Sequence, residues 1–425
     1  MIVWKKYRLK DICSYIGSGT TPKSSNSKYY DNGIYNWVNT GDLNNGIVSN
    51  SKQQITDSAL KDFPTLRFYP KGTIIEAMYG ATIGKVGMLG MNATVNQACC
   101  AMIVDRNKAI PNFVLYYLLY YKPQLLKESF GGTQPNVNQF KVSNIAISIP
   151  SREEQQRIVT YLDTKLSEID HQVSLLTSKR DAYLRLKKSI INHVVTHGLD
   201  PNVKMKDSGI EWIGEVPEHW RRMRLKDIAY LYSGLTGKSG DDFRCDNTKI
   251  TKPYVPFTSI LNNFKINSTD FPRVIMSDNE TQNQVIVNDL LFLMSSEDYD
   301  SIAKSAVVNE NLGEVYLNSF CRGLRFTSKD IFANFVNYQI QATNYRDALR
   351  FEARGFTRIN IKIEKISSMF VCLPPLPEQR AIATYLDDKC AKIDTIVSNL
   401  DKQISRYADL KRSLIDEVIT GKRAV

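Results

Sequence analysis

The side chains with the greatest capacity for polar contacts lie in Gly-rich and Asn-rich loops of the first third of the chain. These loops are 17–30 (GSGTTPKSSNSKYY), 79–85 (YGATIGK) and 131–139 (GGTQPNVNQ). Hydroxyl groups and lysines suit phosphate oxygens, whereas Asn, Gln and Arg side chains suit the edges of bases. The candidates for contact with a nucleic acid in this region are Thr21, Lys23, Ser24, Lys28, Tyr79, Lys85, Thr133, Gln134, Asn136 and Asn138.

Arginines recur in the second half of the chain at a spacing that suits one face of a helix. Arg346, Arg350 and Arg354 are four residues apart, and Arg358 follows them. If the helix extends to Arg354, the first three form a basic stripe suited to phosphates or guanines. The alternative is a solvated helix face whose arginines pair with the acids beside them. The candidates in this region are Lys238, Ser239, Arg244, Arg346, Arg350, Arg354, Arg358 and Asn360.

Motifs for catalysis or metal binding are incomplete. Gly80–Val86 (GATIGKV) is one residue short of a phosphate-binding loop, and the spacing in Gly234–Ser239 (GLTGKS) is also too short. His193 and His197 have the spacing of a metal pair, but no acidic residue lies between them. The sequence has no G-x-S-x-G, G-x-G-x-x-G or N-P-P-Y/F motif. We therefore predict a binding protein with no catalytic or metal-ligating residue of its own.

The charge of the chain is concentrated in two large segments. The 425 residues carry a net charge of +11. Residues 1–150 contain 16 Lys and Arg against 8 Asp and Glu, and residues 220–374 contain 20 against 17. A basic surface of this kind favours a polyanion such as a nucleic acid, although many soluble proteins are modestly basic without binding one.

Cysteine spacing and hydropathy indicate the compartment. The seven cysteines are dispersed and form no C-x-x-C pair, which indicates reduced thiols rather than disulfides or a zinc site. No secretory signal opens the sequence, and the longest apolar run, Phe113–Tyr121, is too short to span a bilayer. We expect a cytoplasmic protein with no membrane partner.

The chain contains an internal repeat. WKKYRLKDI (Trp4–Ile12) returns as WRRMRLKDI (Trp220–Ile228). At a shift of 224 residues, 20 of the 47 pairs between 151–197 and 375–421 are identical. Between these anchors the halves differ almost completely. A constant framework therefore carries two different blocks, each of which mixes short alternating strands with helices at 112–130 and 334–353.

Each repeated tail has the pattern of one long helix. A Ser-x-x-Glu capping box at Ser151 opens the first copy, and Pro377 opens the second. Gly198 and Gly421 lie at the far ends, where a helix commonly stops. About 46 residues in helical conformation would extend roughly 70 Å.

Apolar residues in the two tails step by four and three, as in a heptad seam. Arg180, Lys187 and Lys411 interrupt this seam. A helix with one apolar stripe needs a partner, and the other tail supplies it. The residues predicted to pair the helices are Leu162, Leu166, Ile169, Val173, Leu176, Leu386, Ile393, Val397, Leu400 and Ile404.

The connectivity predicts an α+β chain of two globular blocks joined by two long antiparallel helices, which form a coiled-coil spacer with pseudo-two-fold organisation. The first helix ends where the second block begins, so antiparallel pairing is the natural arrangement. The predicted segments are block one, 1–150; spacer helix one, 151–197; a connector, 198–219; block two, 220–374; and spacer helix two, 375–425.

Two variable blocks, two repeated helices and the connector GLDPNVKMKDSGIEWIGEVPEHW together resemble the specificity subunit of a type I restriction–modification system. The repeated P…EQ…I…YLD…ID helix openings add to this resemblance. It extends over essentially the whole chain. It implies two target-recognition domains, each of which binds one half of a bipartite, asymmetric site in double-stranded DNA.

The resemblance also implies partners. The spacer helices would set the half-site separation and dock two methyltransferase subunits, which carry S-adenosylmethionine for adenine-N6 methylation. Restriction subunits would bring ATP, Mg²⁺ and cleavage, and this chain would hold no cofactor. The alternatives are a non-catalytic coiled-coil scaffold for other proteins, a specificity subunit of a methylation-only system, and a nuclease whose site has no recognised motif.

Overall fold

The chain forms two compact units. The computed structural model describes residues 4–129, 136–243, 250–267, 270–277 and 279–425. Unit 1 comprises residues 1–177 and 402–425, and unit 2 comprises residues 178–401. Each unit therefore contains one block and one end of each long helix.

Unit 1 has a mixed composition of short strands and helices. Its strands are β1 (Lys5–Arg8), β2 (Cys13–Ser18), β3 (Tyr35–Val38), β4 (Ile47–Val48), β5 (Gln53–Ile55), β6 (Ile74–Ala77), β7 (Val86–Leu89), β8 (Thr94–Val95), β9 (Cys99–Val104) and β10 (Ala146–Ile149). Its helices are α1 (Leu9–Ile12), α2 (Asp57–Asp62), α3 (Pro111–Glu128), α4 (Gln139–Ser143) and the first part of α5 (Arg152–His197), with 3-10 turns at Ser27–Tyr29, Thr40–Asp42 and Gly80–Thr82.

Unit 2 contains the connector and the second block. Its strands are β11 (Met205–Asp207), β12 (Glu215–Pro217), β13 (Arg221–Arg224), β14 (Ala229–Ser233), β15 (Thr251–Val255), β16 (Lys265–Ile266), β17 (Arg273–Ile275), β18 (Leu290–Leu293), β19 (Ser295–Ser296), β20 (Ser305–Val308), β21 (Tyr316–Leu317), β22 (Cys321–Phe326), β23 (Ile359–Asn360) and β24 (Phe370–Leu373). Its helices are α6 (Leu225–Ile228), α7 (Phe257–Asn262), α8 (Ala333–Gln341), α9 (Thr343–Glu352), α10 (Ile363–Ser367) and the first part of α11 (Leu376–Ile419), with a 3-10 turn at Gly240–Phe243.

The two blocks have the same sheet topology although their sequences differ. In unit 1 the five-stranded sheet has the order β2-β9-β6-β7-β4, and in unit 2 the order is β14-β22-β18-β20-β16. The last pair of each sheet is parallel and the other pairs are antiparallel. A three-stranded sheet accompanies each, β5-β3-β8 and β17-β15-β21. The internal repeat therefore extends through the blocks at the level of the fold.

The central strands are buried on both faces. In β6, Ile74 belongs to the cluster that includes Phe113 of α3, whereas Ile75 and Ala77 pack with Tyr69 on the opposite face. Successive side chains of a strand point to opposite faces, so a continuous apolar run is what a doubly covered strand requires. Burial of each large aliphatic side chain contributes about 1.5–3 kcal/mol.

The repeated tryptophans pack against the glycines that end the long helices. In unit 1, a Cβ atom on Gly421 would lie 3.1 Å from Trp4; in unit 2, one on Gly198 would lie 3.6 Å from Trp220. Both glycines have positive φ, +72° and +75°, which ends an α-helix without strain. The WxxxxLKDI motif therefore begins each block beside a helix end in its own unit.

A buried glutamine ties each long helix to its block. In unit 1 the Gln155 side-chain oxygen accepts a hydrogen bond from Ile110 N (2.8 Å), just before α3. In unit 2 the Gln379 oxygen accepts one from Phe332 N (2.8 Å), just before α8. Both side chains are 2% exposed and occupy equivalent positions of the repeat. The glutamine of the repeated EQ motif is thus a buried side chain whose polar atoms are hydrogen-bonded.

The two long helices run antiparallel within each unit, as predicted. In unit 1 Lys411 Nζ lies 2.8 Å from Asp170, and in unit 2 Lys187 Nζ lies 2.6 Å from Asp394. These pairs are equivalent under the 224-residue shift. A further ion pair in unit 2 joins Arg180 to Asp401 at 3.4 Å. The cations that interrupt the apolar seam thus contact carboxylates of the facing helix.

The residues predicted to pair the helices lie along the inner side of α5 and α11. Leu162, Leu166 and Ile169 are buried in a cluster of unit 1 that also contains α3 and the end of α11. Leu386, Ile393 and Leu400 are buried in unit 2. The half-buried remainder are Val173, Leu176, Val397 and Ile404.

One predicted helix is wrong. The segment 334–353 forms two helices, because Ala342 is extended (φ −63°, ψ 150°) between α8 and α9. The Asn192 side chain of α5 stabilises the start of α9. Its oxygen accepts a hydrogen bond from Thr343 N (2.8 Å), and its amide group donates one to the Thr343 hydroxyl (3.0 Å). A side-chain cap from another helix starts α9 afresh, which the local sequence does not reveal.

Candidate nucleic-acid interface

Parts of all three loop regions predicted from sequence lie at one edge of unit 1, together with residues 95–98. Val137 N donates to Met78 O (2.9 Å), and Met78 N donates to Ala98 O (2.8 Å). Tyr79 and Asn136 form an isolated antiparallel bridge. We call residues 16–21, 78–85, 95–98 and 136–139 the loop face of unit 1.

Unit 2 has the same framework at the equivalent edge. Ile361 N donates to Met294 O (3.1 Å), and Met294 N donates to Phe320 O (3.2 Å). β19 pairs with β23, where Ser295 lies opposite Asn360. We call residues 233–236, 294–301, 317–320 and 354–362 the loop face of unit 2. Identical backbone connections therefore present different side chains in the two units.

The candidates of unit 1 differ in how they are engaged. Thr21 accepts from Gln97 N (3.5 Å) at the loop face, where Tyr79 is 45% exposed. The Asn138 side chain caps α4 by accepting from Lys141 N (2.9 Å). Lys28 lies away from the loop face, where it forms an ion pair with Asp62 (3.0 Å). The other described candidates are Lys23, Ser24 and Asn136, which are exposed, and Lys85, which is half-buried.

The predicted arginine stripe is not formed. Arg346 is only 6% exposed, and it donates to the carbonyl oxygens of Ile302 (2.6 Å) and Asp300 (3.0 Å). Burial lowers its pKa to about 10. Arg350 pairs with the Asp300 carboxylate at 2.8 Å. Because α9 ends at Glu352, Arg354 is not on this helix. The first two arginines hold the 299–302 loop in place instead of lining a free surface.

The remaining candidates of unit 2 have other partners. Lys238 is nearly buried against Glu280 (2.6 Å), and the Ser239 hydroxyl donates to Asp242 (3.1 Å). Arg358 lies over the ring of Phe320 at 4.7 Å, on the loop face. Asn360 lies on the loop face in β23. Thr133, Gln134 and Arg244 lie outside the described residues.

The structure adds site residues that the sequence reasoning missed. A pocket of about 370 Å³ opens beside β23 and is lined in part by Ser295, Phe320, Arg322 and Lys362. The Ser295 hydroxyl and Arg322 Nε are buried and have no hydrogen-bond partner among the described residues, whereas Arg322 Nη1 donates to Cys321 O (3.0 Å). Ser295 is the structural counterpart of Tyr79, because each lies opposite the equivalent asparagine, Asn360 or Asn136, but the two blocks share too few residues here for a sequence alignment to find it.

A buried carboxyl group lies close to the loop face of unit 1. Glu76 is 1% exposed, and neither of its oxygens has a hydrogen-bond partner among the described residues. Burial raises the pKa of Glu76 to about 8, an effect that the nearby Lys122 reduces. Burial and Lys85 in turn lower the pKa of Lys122. Glu76 is held among apolar strands, and sequence alone gave no signal of it.

The described part of the chain shows neither a cluster of metal ligands nor a membrane-spanning helix. Among the residues that the structure describes, no group of three or more His, Cys, Asp or Glu side chains could hold a metal ion. The rings of His193 and His197 stack at 4.5 Å. Within the described ranges, no helix combines the length and apolarity needed to cross a bilayer.

The framework of two equivalent units agrees with the comparisons with known proteins. The family model described as "Type I restriction modification DNA specificity domain" matches residues 1–175 and 217–406. The chain therefore belongs to this family and carries two copies of its domain. It is by family a specificity subunit of type I restriction–modification systems, a non-catalytic class.

Relatives match over nearly the full length of the chain or over about half of it. The MjaIX specificity subunit of Methanocaldococcus jannaschii is 25% identical, over 99% of this chain and 94% of its own length. The EcoKI specificity subunit of Escherichia coli is 24% identical over 49% of this chain and 44% of its own length. A chain from a solved type I R-M system has a TM-score of 0.72 at 16% identity, covering 98% of this chain and 97% of that chain. The HsdS subunit of Thermoanaerobacter tengcongensis has a TM-score of 0.50 at 17% identity, covering 99% and 97%. These two structures share the fold.

Proposed function

We propose that each unit binds one half of a bipartite, asymmetric site in double-stranded DNA through its loop face. The observation that carries this proposal is a backbone framework that both units share. It consists of hydrogen bonds along Val137–Met78–Ala98 in unit 1 and along Ile361–Met294–Phe320 in unit 2, and the loops that it holds carry different side chains. A shared scaffold with variable loops is suited to two related tasks with different specificity. Because the loop side chains differ, the two half-sites differ.

The long helices support the rest of the proposal. α5 contains 46 residues and α11 contains 44, and both are continuous. They would fix the half-site separation, which should be close to one turn of duplex, roughly 34 Å. We place two methyltransferase subunits, carrying S-adenosylmethionine, on this spacer. Restriction subunits would add ATP, Mg²⁺ and cleavage in the cytoplasm, while this chain catalyses nothing.

The test is co-expression of the chain with its methyltransferase subunit, followed by mapping of N6-methyladenine in the host DNA. We expect one asymmetric, bipartite motif with a fixed gap, and no such motif when the methyltransferase is expressed alone. Copurification without a methylated motif would contradict the DNA-binding part of the proposal. Failure to copurify would favour a scaffold for other proteins, and methylation without cleavage in the complete system would indicate a methylation-only complex.

A further inference from the structure

The loop face of unit 2 ends in a tight loop with an aromatic residue at its tip. Arg354 and Asn360 close this loop with two backbone hydrogen bonds, Arg354 N to Asn360 O (2.9 Å) and Asn360 N to Arg354 O (2.8 Å). Phe356 lies between them and is 100% exposed. Single exposed apolar residues are common, so this exposure gains meaning only from its surroundings.

The backbone under Phe356 is held in place. Gly355 has φ +145°, and a Cβ atom there would lie 2.0 Å from Arg358 O, so no other residue fits this turn. The Tyr299 hydroxyl donates to Gly355 O (3.2 Å), and the Tyr299 carbonyl accepts from Arg350 Nε (3.3 Å). The loop therefore presents the Phe356 ring to solvent from a fixed base.

The surroundings of the tip combine aromatic rings with cations. Phe320 is 47% exposed and Tyr299 is 46% exposed. Arg358 covers the Phe320 ring at 4.7 Å, and Arg354 of the same loop lies over the Phe351 ring of α9 at 5.8 Å. Asp300, an acid of the same loop face, is paired with Arg350. Rings that stack on bases, flanked by guanidinium groups that contact phosphates, are a recurring arrangement for nucleic acids.

We infer that Phe356 inserts at one base step of the half-site bound by unit 2, partly unstacking it, while Arg354 and Arg358 contact the flanking phosphates. This inference rests on the proposed function. The sequence equivalent of Phe356 in the first block is Gly132, which has no ring. The distortion should therefore be confined to one half-site, and that half-site should favour a flexible pyrimidine–purine step at the point of insertion.

The test uses the full-length chain in complex with its methyltransferase subunits, bound to duplexes that carry the mapped site. 2-Aminopurine is placed at successive positions of both half-sites other than the methylated adenines, which a methyltransferase itself extrudes, because its fluorescence rises when the base is unstacked. We expect a rise at one step of one half-site only. Phe356→Ala should abolish the rise and weaken specific binding about 10-fold, the order expected for the loss of one aromatic stacking contact. Phe356→Trp should retain both.

Phe257→Ala is the matched control. Phe257 is 43% exposed but begins α7, outside the loop face of unit 2, so its loss should change neither signal. A wild-type complex that binds its site without a fluorescence rise at any position would overturn the inference and leave the proposed function intact. An unchanged rise in Phe356→Ala would also overturn it. Absence of any sequence-specific binding would overturn the proposed function itself.

Discussion

Glu76 places a carboxyl group in the core of unit 1 without a hydrogen-bond partner among the described residues. Such a group destabilises the folded chain when it is ionised, because the interior solvates charge poorly. The stability cost can be measured directly.

We predict that Glu76→Gln stabilises the chain increasingly as the pH rises. Below the ordinary pKa of about 4.5, the carboxyl is protonated in the folded and unfolded states and adds no penalty. Between that value and about 8, the unfolded chain releases its proton while the folded chain retains it, so the free energy of unfolding of the wild type falls. The amide avoids this loss. Denaturant titrations at pH 5, 7 and 8.5 should show a difference that grows to the order of a few kcal/mol. A difference independent of pH would contradict the assignment.

Arg346 and Arg358 allow structural and DNA-binding roles to be separated. We predict that Arg346→Ala lowers the free energy of unfolding by about 2–4 kcal/mol, because it removes two buried hydrogen bonds to the 300–302 loop. Arg358→Ala should leave the melting temperature within about 2 °C and weaken DNA binding. Thermal melts and binding measurements on both variants test this. If both variants lost the same DNA affinity at unchanged stability, Arg346 would have a role in DNA binding and not in the fold.

The long helices could be predicted from the sequence, whereas the sheet order and the break between α8 and α9 could not. The long helices and their antiparallel pairing were predictable because capping residues, apolar spacing and connectivity act locally or follow from the repeat. The common sheet order of the blocks was not, because strand pairing joins residues far apart and the two blocks share few residues. The break between α8 and α9 was missed for a related reason: Asn192, about 150 residues earlier, supplies the cap.

The candidate site shows the same division. The position of Tyr79, Asn136 and Thr21 in loops was predictable because Gly-rich and Asn-rich segments mark turns at strand ends, and their contact with DNA stays a prediction. Arg346 was misassigned because helical spacing gives a face but not what packs against it. Ser295 and Arg322 carried no local signal, since the pocket that they line is formed by segments far apart in the sequence.

The ion pairs between α5 and α11 should determine helix register more than stability. Exposed pairs contribute roughly 0–1 kcal/mol each, whereas like charges in the same place repel. We predict that Asp394→Lys, which faces Lys187, lowers the melting temperature, and that adding Lys187→Asp restores it. A double-mutant cycle measures the coupling. The equivalent exchange at Asp170 and Lys411 in unit 1 is the matched control, and additive effects at both places would refute a pairing role.

The register between α5 and α11 determines which segments can be deleted from the two helices without changing the pairing that remains. Lys187 lies opposite Asp394 and Asp170 opposite Lys411, so each step forward on α5 is one step back on α11. A matched heptad deletion therefore removes 174–180 from α5 and 401–407 from α11. Both equivalent ion pairs lie outside the deleted segments and keep their partners.

We predict that this double deletion shortens the stretch of DNA between the two half-sites, while the sequence of each half-site stays the same. Seven residues correspond to about 10 Å of helix, which is comparable to three base-pair steps of duplex. Methylation mapping with the co-expressed methyltransferase gives the new gap directly. Deletion of 174–180 alone is the control: it shifts one helix against the other, so we expect a less stable chain and loss of methylation. An unchanged gap after the matched deletion would show that α5 and α11 do not set the half-site separation, and spacing would then have to come from the partner subunits.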